Sequence, residues 1–125
     1  MSGNPAKPKI VIDMAKNRIR IHRKTLAAIN RPEFILLIVN PAEKTIGVMP
    51  GKESDPGCHR VKTPAVLGNN CYELYSSTLT KKLRQICSDW VPNGKYSIEG
   101  DLIPDELVAR FCMDKAVFVG TGKVK

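Results

Sequence analysis

The sequence predicts an α+β protein built as two β-α-β-β units that form one compact domain. Three observations lead there. Short alternating or β-branched runs are bounded by proline, glycine and asparagine. Two helical patterns each follow directly on a strand. The 125 residues, 42% apolar and 26% charged, are enough to bury roughly two-thirds of the unfolded surface without disulfides.

Residues 1–9 hold two prolines, a glycine and two lysines without periodicity, and read as a flexible basic arm. Ile10 to Ile12 can add a short strand. In Arg18-Ile19-Arg20-Ile21-His22 strict alternation puts the isoleucines on one face and the arginines on the other, the pattern of a half-buried strand. From Lys24 the spacing of Leu26 and Ile29 turns helical for two turns or fewer, and Asn30 supplies a residue tolerant of the left-handed conformation. Phe34 to Val39 and Thr45 to Met49 pair as a hairpin about Asn40-Pro41-Ala42-Glu43-Lys44. The first unit spans 10–50, and the proline- and glycine-rich stretch 51–70 reads as a linker.

The second unit, 71–119, follows the same order. Cys71 to Tyr75 is a strand, Ser76 or Ser77 caps a helix, and Leu79, Leu83, Ile86, Cys87 and Trp90 recur at helical spacing opposite Lys81, Lys82, Arg84 and Gln85. Tyr96 to Ile103 and Leu107 to Met113 read as strands around Pro104-Asp105-Glu106; the competing assignment makes Pro104 to Arg110 a short helix. Ala116 to Val119 closes the unit and 120–125 is a tail. Ile19, Ile21, Thr25 and Leu26 match Tyr72, Leu74, Thr78 and Leu79 at an offset of 53, while Pro41 and Glu43 match Pro104 and Glu106 at 63. These offsets suggest an internal duplication.

Charge is the strongest functional signal. The net charge of +8 divides into +7 over residues 1–62 and +1 over 63–125. Lys7, Lys9, Lys16, Arg18, Arg20, Arg23, Lys24 and Arg31 face a single acid, Asp13, within their segment. Such a density attracts nucleic acid, an anionic membrane surface or an acidic protein, against the plainer alternative of a solvated face. Alternate strand residues stand about 7 Å apart, close to the phosphate spacing along one DNA strand, so Arg18 and Arg20 are candidates for neighbouring phosphates.

Enzymatic chemistry finds little support. Cys58-His59 lacks two further ligands at a zinc spacing and lacks an orienting group for a nucleophile. Gly120-Thr121-Gly122-Lys123 lacks the full phosphate-loop pattern. Glu99, Asp101, Asp105, Glu106 and Asp114 form no evident acid–base pair. No metal and no cofactor are expected. Four cysteines without a CxxC pair or a signal peptide suit a reducing cytoplasm, and no apolar run is long enough to cross a bilayer.

The Asn17-Arg18 turn, the strand Ile19-Arg20-Ile21, the Thr25 to Ile29 helix and the hairpin from Phe34 to Met49 together resemble the AbrB family of swapped-hairpin DNA-binding proteins. The two-repeat MraZ family is the nearer comparison. The resemblance covers residues 14–50, with an echo in 71–119. Asn17 stands where the family has glycine, His22 where it has proline, and the helix lacks the family's Leu-Arg pair. The resemblance implies a DNA-binding transcription regulator in which Arg18 meets DNA, and assembly from two units, within one chain or as a homodimer.

The leading expectation is therefore a non-enzymatic DNA-binding regulatory protein using Lys7, Lys9, Lys16, Arg18, Arg20, Arg23, Lys24 and Arg31. The alternative is a protein-interaction module, such as a mobile-element accessory protein that inhibits or recruits a host nucleic-acid-binding complex, with Trp90 as the candidate interface residue, against the plainer reading that its helical register with Leu83 and Ile86 places it in the core.

Overall fold

The computed structural model describes residues 7–61 and 71–121. The expected arm, linker and tail therefore lie partly outside the described residues. Among the described residues, ten strands, two α-helices and one 3₁₀ turn follow in the order β1 (Lys9–Asp13), β2 (Arg18–His22), α1 (Arg23–Ala28), β3 (Phe34–Asn40), β4 (Thr45–Pro50), β5 (His59–Arg60), β6 (Cys71–Tyr75), α2 (Ser77–Ile86), β7 (Gly94–Glu99), β8 (Asp101–Ile103), β9 (Val108–Cys112), the turn Met113–Lys115, and β10 (Val117–Thr121). They form two antiparallel five-stranded sheets, ordered β10-β7-β1-β2-β6 and β5-β3-β4-β9-β8. This is a compact α+β fold.

The alternating pattern settles which face each strand buries. Ile10, Ile12, Ile19, Ile21 and Ile98 of the first sheet and Ile35, Ile46, Val48, Ala109 and Phe111 of the second are all buried in one shared cluster. The basic and acidic residues of β1, β2 and β6 consequently occupy the other face of their sheet. Asn17 and Asn30 both adopt positive φ, at 50° and 69°, where an asparagine costs less than a branched residue. α1 ends there, as the sequence predicts, with the Arg31 amide donating to the Leu26 carbonyl at 2.7 Å.

The structure departs from the sequence reading in four places. Lys9 belongs to β1 rather than to an arm, and the Pro8 carbonyl accepts from the Gly100 amide at 2.9 Å. The stretch expected as a linker contains β5, which pairs with β3. The strand expected over Tyr96 to Ile103 is divided at Gly100, and its parts join different sheets: β7 lies beside β1 and β10, β8 beside β9. Trp90 lies beyond α2, which ends at Ile86, so helical spacing does not carry that far. The competing helix over Pro104 to Arg110 is absent; a turn leads into β9.

The halves interleave. β1 pairs with β7, β2 with β6 and β4 with β9. In the β2–β6 ladder Arg20 faces Glu73, the residue 53 positions later; in the β4–β9 ladder Gly47 faces Arg110, 63 positions later. The same offsets, 53 and 63, separate the residue matches noted between the two segments in the sequence. The hairpin turns share a further detail: Lys44 and Leu107, again 63 apart, both adopt positive φ, at 54° and 52°.

Gly100 is where the chain passes from one sheet to the other, and the passage leaves no room for a side chain. A Cβ there would collide with the Arg110 carbonyl and come within 2.6 Å of the Phe111 ring. Gly100→Ala is expected to lower unfolding free energy by about 3 kcal/mol through overpacking, measured by urea denaturation. Gly57→Ala, where a Cβ meets nothing within 4 Å but φ is 79°, is expected to cost about 1–2 kcal/mol from backbone strain alone.

Candidate functional site

The β1–β2 hairpin distributes the expected site residues over three environments. At the turn end, Asp13, Arg18 and Glu73 form a compact ion-pair network. Arg18 Nη2 donates to Asp13 Oδ2 at 3.1 Å and Nη1 lies 3.8 Å from Glu73 Oε2. Only 9% of the Arg18 side chain and 2% of that of Asp13 is exposed. Burial works against the guanidinium charge, but Tyr75, Glu73 and Asp13 outweigh it and raise the Arg18 pKa above its ordinary value. Asp13 Oδ1 also accepts from the Ala15 and Lys16 amides, so the same carboxylate closes the turn.

This corrects the expectation for Arg18. An alternating strand puts it on the face opposite Ile19, but that face is covered at this end, and the guanidinium is held between two acids rather than offered to a phosphate. Arg20 is intermediate: 39% of its side chain is exposed, and Nε donates to Glu73 Oε2 at 2.8 Å. Glu73 thus contributes on the second unit's strand the negative charge that neutralises the first unit's arginines.

The open end of the hairpin is different. Lys9 and His22 are cross-strand neighbours by extension of the β1–β2 register, and α1 begins at Arg23. His22 caps that helix, its Nδ1 accepting from the Lys24 amide at 3.1 Å. Thr25 fastens the helix to the strand, accepting from the Lys9 amide and donating to the Lys9 carbonyl, both at 2.8 Å. The arrangement brings three cations around one imidazole. Burial first, then the charges of Lys24, Lys9 and Arg23, hold the His22 pKa below its usual value. Lys7, two residues before Lys9, is exposed.

Lys16, on the turn at the other end, and Arg31, beyond α1, are also exposed and do not belong to the His22 cluster. α2 approaches the Lys16 end: Thr80 donates to Asn17 Oδ1 at 2.7 Å and Arg84 to the Met14 carbonyl at 2.7 Å. Among the described residues, none of Lys7, Lys9, Lys16, Arg23, Lys24 and Arg31 has an acidic partner within 4.0 Å. The sequence reading missed Glu73 as the acid of this surface. Its 53-residue offset from Arg20 was the available signal.

Trp90 is half-buried in an aromatic stack, 4.2 Å from Tyr96 between centroids and nearly parallel, with Phe118 edge-on to Tyr96 at 5.5 Å. It packs against the core rather than standing free. The four cysteines are unpaired, and burial pushes the Cys87 thiol up to about 11. Among the described residues no three His, Cys, Asp or Glu side chains converge as metal ligands, and no helix is long and apolar enough to cross a membrane.

Asp13→Asn leaves the Arg18 charge buried with half its compensation, and is expected to lower stability by about 3 kcal/mol; Lys24→Ala is expected to change it by less than about 0.5 kcal/mol. Chemical denaturation of both variants checks the contrast. His22 generates a pH dependence. Its folded pKa lies below the unfolded value, so the unfolded chain binds more protons on acidification and stability falls as pH drops below about 6.5. His59, whose pKa burial also lowers, adds to the slope. His22→Gln is expected to flatten the slope in part, as read from melting temperatures between pH 7.5 and 5.

Comparison of the chain with family models, curated proteins and solved structures finds no match in any of the three.

Proposed function

We propose that the protein is a DNA-binding regulatory protein that holds the phosphate backbone at the open end of the β1–β2 hairpin. The observation that carries this reading is the convergence of Lys9, Arg23 and Lys24 on His22, without an acidic partner among the described residues. Lys9 stands opposite Glu99 in the β1–β7 register, but no ion pair within 4.0 Å ties down any of the three cations among the described residues, so they keep much of their attraction for a polyanion. Lys7 continues the cluster, and Lys16 and Arg31 add charge farther out. Arg20 keeps a half-exposed guanidinium but shares Glu73, while Arg18 serves the sheet. The contacts are to phosphates, which position a protein on a duplex without reading its sequence.

The AbrB-like resemblance belongs to the same proposal. Its supports are the order β2, α1, β3, β4 over the resembling residues and the offsets of 53 and 63 across the β2–β6 and β4–β9 ladders, which suit two duplicated units paired within one chain. With Arg18 buried, the DNA contact moves from the start of the strand to its end. A second reading, a protein-interaction module, is favoured by a separate observation: the outer face of the second sheet is largely apolar.

Fluorescence anisotropy with a labelled duplex across a salt series tests the DNA reading. Affinity is expected to fall steeply with salt, with Lys9→Ala and Lys24→Ala each reducing the log–log slope by about one. Binding is expected to tighten as pH falls from 7 towards 5.5, because a bound phosphate favours protonated His22, and His22→Gln is expected to remove that gain. Failure to bind either duplex or single-stranded DNA at about 50 mM salt overturns the proposal.

A further inference from the structure

The outward-facing side of the second sheet carries a second surface of different chemistry. Residues directly opposite each other on paired strands share a face. The register of β3, β4, β8 and β9 therefore groups Leu36 with Met49, Ile38 with Gly47, Gly47 with Arg110, and Ile103 with Val108, on the side away from Ile46, Val48 and Phe111. All of these but Leu36 border a depression of about 610 Å³, whose walls are Ile38, Met49, Ile103 and Val108. Gly47 lowers the floor at its middle. Ile38 is 52% exposed on a stretch of β3 that β5 does not reach, so a large apolar side chain stands open to solvent beside the depression.

Charge on this face is sparse and ordered. Arg110 stands across from Gly47, halfway along the β4–β9 ladder. Its other cross-strand neighbour is Asp101, yet no acid among the described residues lies within 4.0 Å of it. Glu43 sits on the turn before β4 and Glu106 on the turn before β9. Because the two strands are antiparallel, those turns lie at opposite ends of the ladder. The face thus presents Glu43, Arg110 with Asp101 across from it, and Glu106 in line, between apolar walls.

We propose that this face docks an amphipathic helix of a partner protein, one that carries an acidic residue in the middle of its apolar stripe and a basic residue about one turn to either side. Charge complementarity names the occupant's side chains. The acid meets Arg110, and the bases meet Glu43 and Glu106. Backbone chemistry names its conformation: a lone extended segment lying on a sheet face leaves its own amides and carbonyls unsatisfied, whereas a helix satisfies them internally. The lengths agree. Thr45 to Met49 covers roughly 14 Å of strand, about two and a half turns of helix, which accommodates charged residues four apart on either side of a central one. The described helices of a second copy do not fit, because α2 has its apolar stripe committed to the core and a basic outer face. This inference stands apart from DNA binding, since the groove belongs to the other sheet.

The test is an amide NMR titration of the full chain with two 18-residue amphipathic peptides. One has leucines along a stripe, a glutamate at its centre and lysines four residues before and after; the other has every charge reversed. The first is expected to shift Ile38, Gly47, Met49, Val108 and Arg110 and to bind about fivefold more tightly than the second. Arg110→Glu is expected to invert the preference. Ile38→Glu, at an exposed position that spares the fold, is expected to abolish binding of both. No shift at these residues with either peptide at millimolar concentration, equal binding of the two, or a preference untouched by Arg110→Glu each overturns the proposal.

Discussion

Neither half of this chain completes a sheet on its own, and the rest of the structure follows from that. The first half supplies β1 and β2 to one sheet and β3, β4 and β5 to the other; the second half flanks the former with β7 and β6 and extends the latter with β9 and β8. Three ladders, β1–β7, β2–β6 and β4–β9, therefore satisfy backbone groups that either half alone would leave at open edges. The shared core is the apolar counterpart. Ile10, Ile19 and Ile46 from one half bury against Ile98, Leu74 and Phe111 from the other in one cluster. Gly100 lets one continuous segment serve both sheets, by removing the side chain where it crosses the backbone of Arg110.

Interleaving also decides the electrostatics. A basic strand that stood at a sheet edge would present its arginines to whatever approached. Here β6 lies along β2, and Glu73 is brought directly opposite Arg20 and within reach of Arg18. Together with Asp13 it neutralises Arg18 and Arg20, while Lys16 on the turn stays without an acidic partner among the described residues. The cations past the far end of the strand escape, because the chain turns into α1 there and carries Arg23 and Lys24 beyond the reach of Glu73. His22 marks the boundary. It lies close enough to Lys9, Arg23 and Lys24 to be discouraged from protonation, and its unprotonated nitrogen is what caps the helix.

The two outer faces therefore differ in kind. That of the first sheet is a neutralised ion-pair surface with a basic margin; that of the second is an apolar trough with one arginine at its centre. The ladders make the difference easy to locate. Arg20 stands opposite Glu73, and Gly47 opposite Arg110. In the first pair one charge opposes the other; in the second the charge faces an open space.

Much of the framework was legible in the sequence, because local rules govern it. Alternation in Arg18-Ile19-Arg20-Ile21 sets the buried face, Ser76 caps α2, and Asn30 ends α1 in the left-handed region. What escaped depended on partners distant along the chain. Nothing near Arg18 in sequence tells that Glu73 will lie beside it, and no period-two pattern tells that Tyr96 to Ile103 divides between two sheets. Trp90 continued a helical spacing that α2 abandons after Ile86, and its ring stacks on Tyr96 of β7 instead. The sequence by itself determined that a basic segment exists, and which residues face the core. Only the tertiary structure decided which of those charges remain free, since a charge is neutralised by what folding brings next to it.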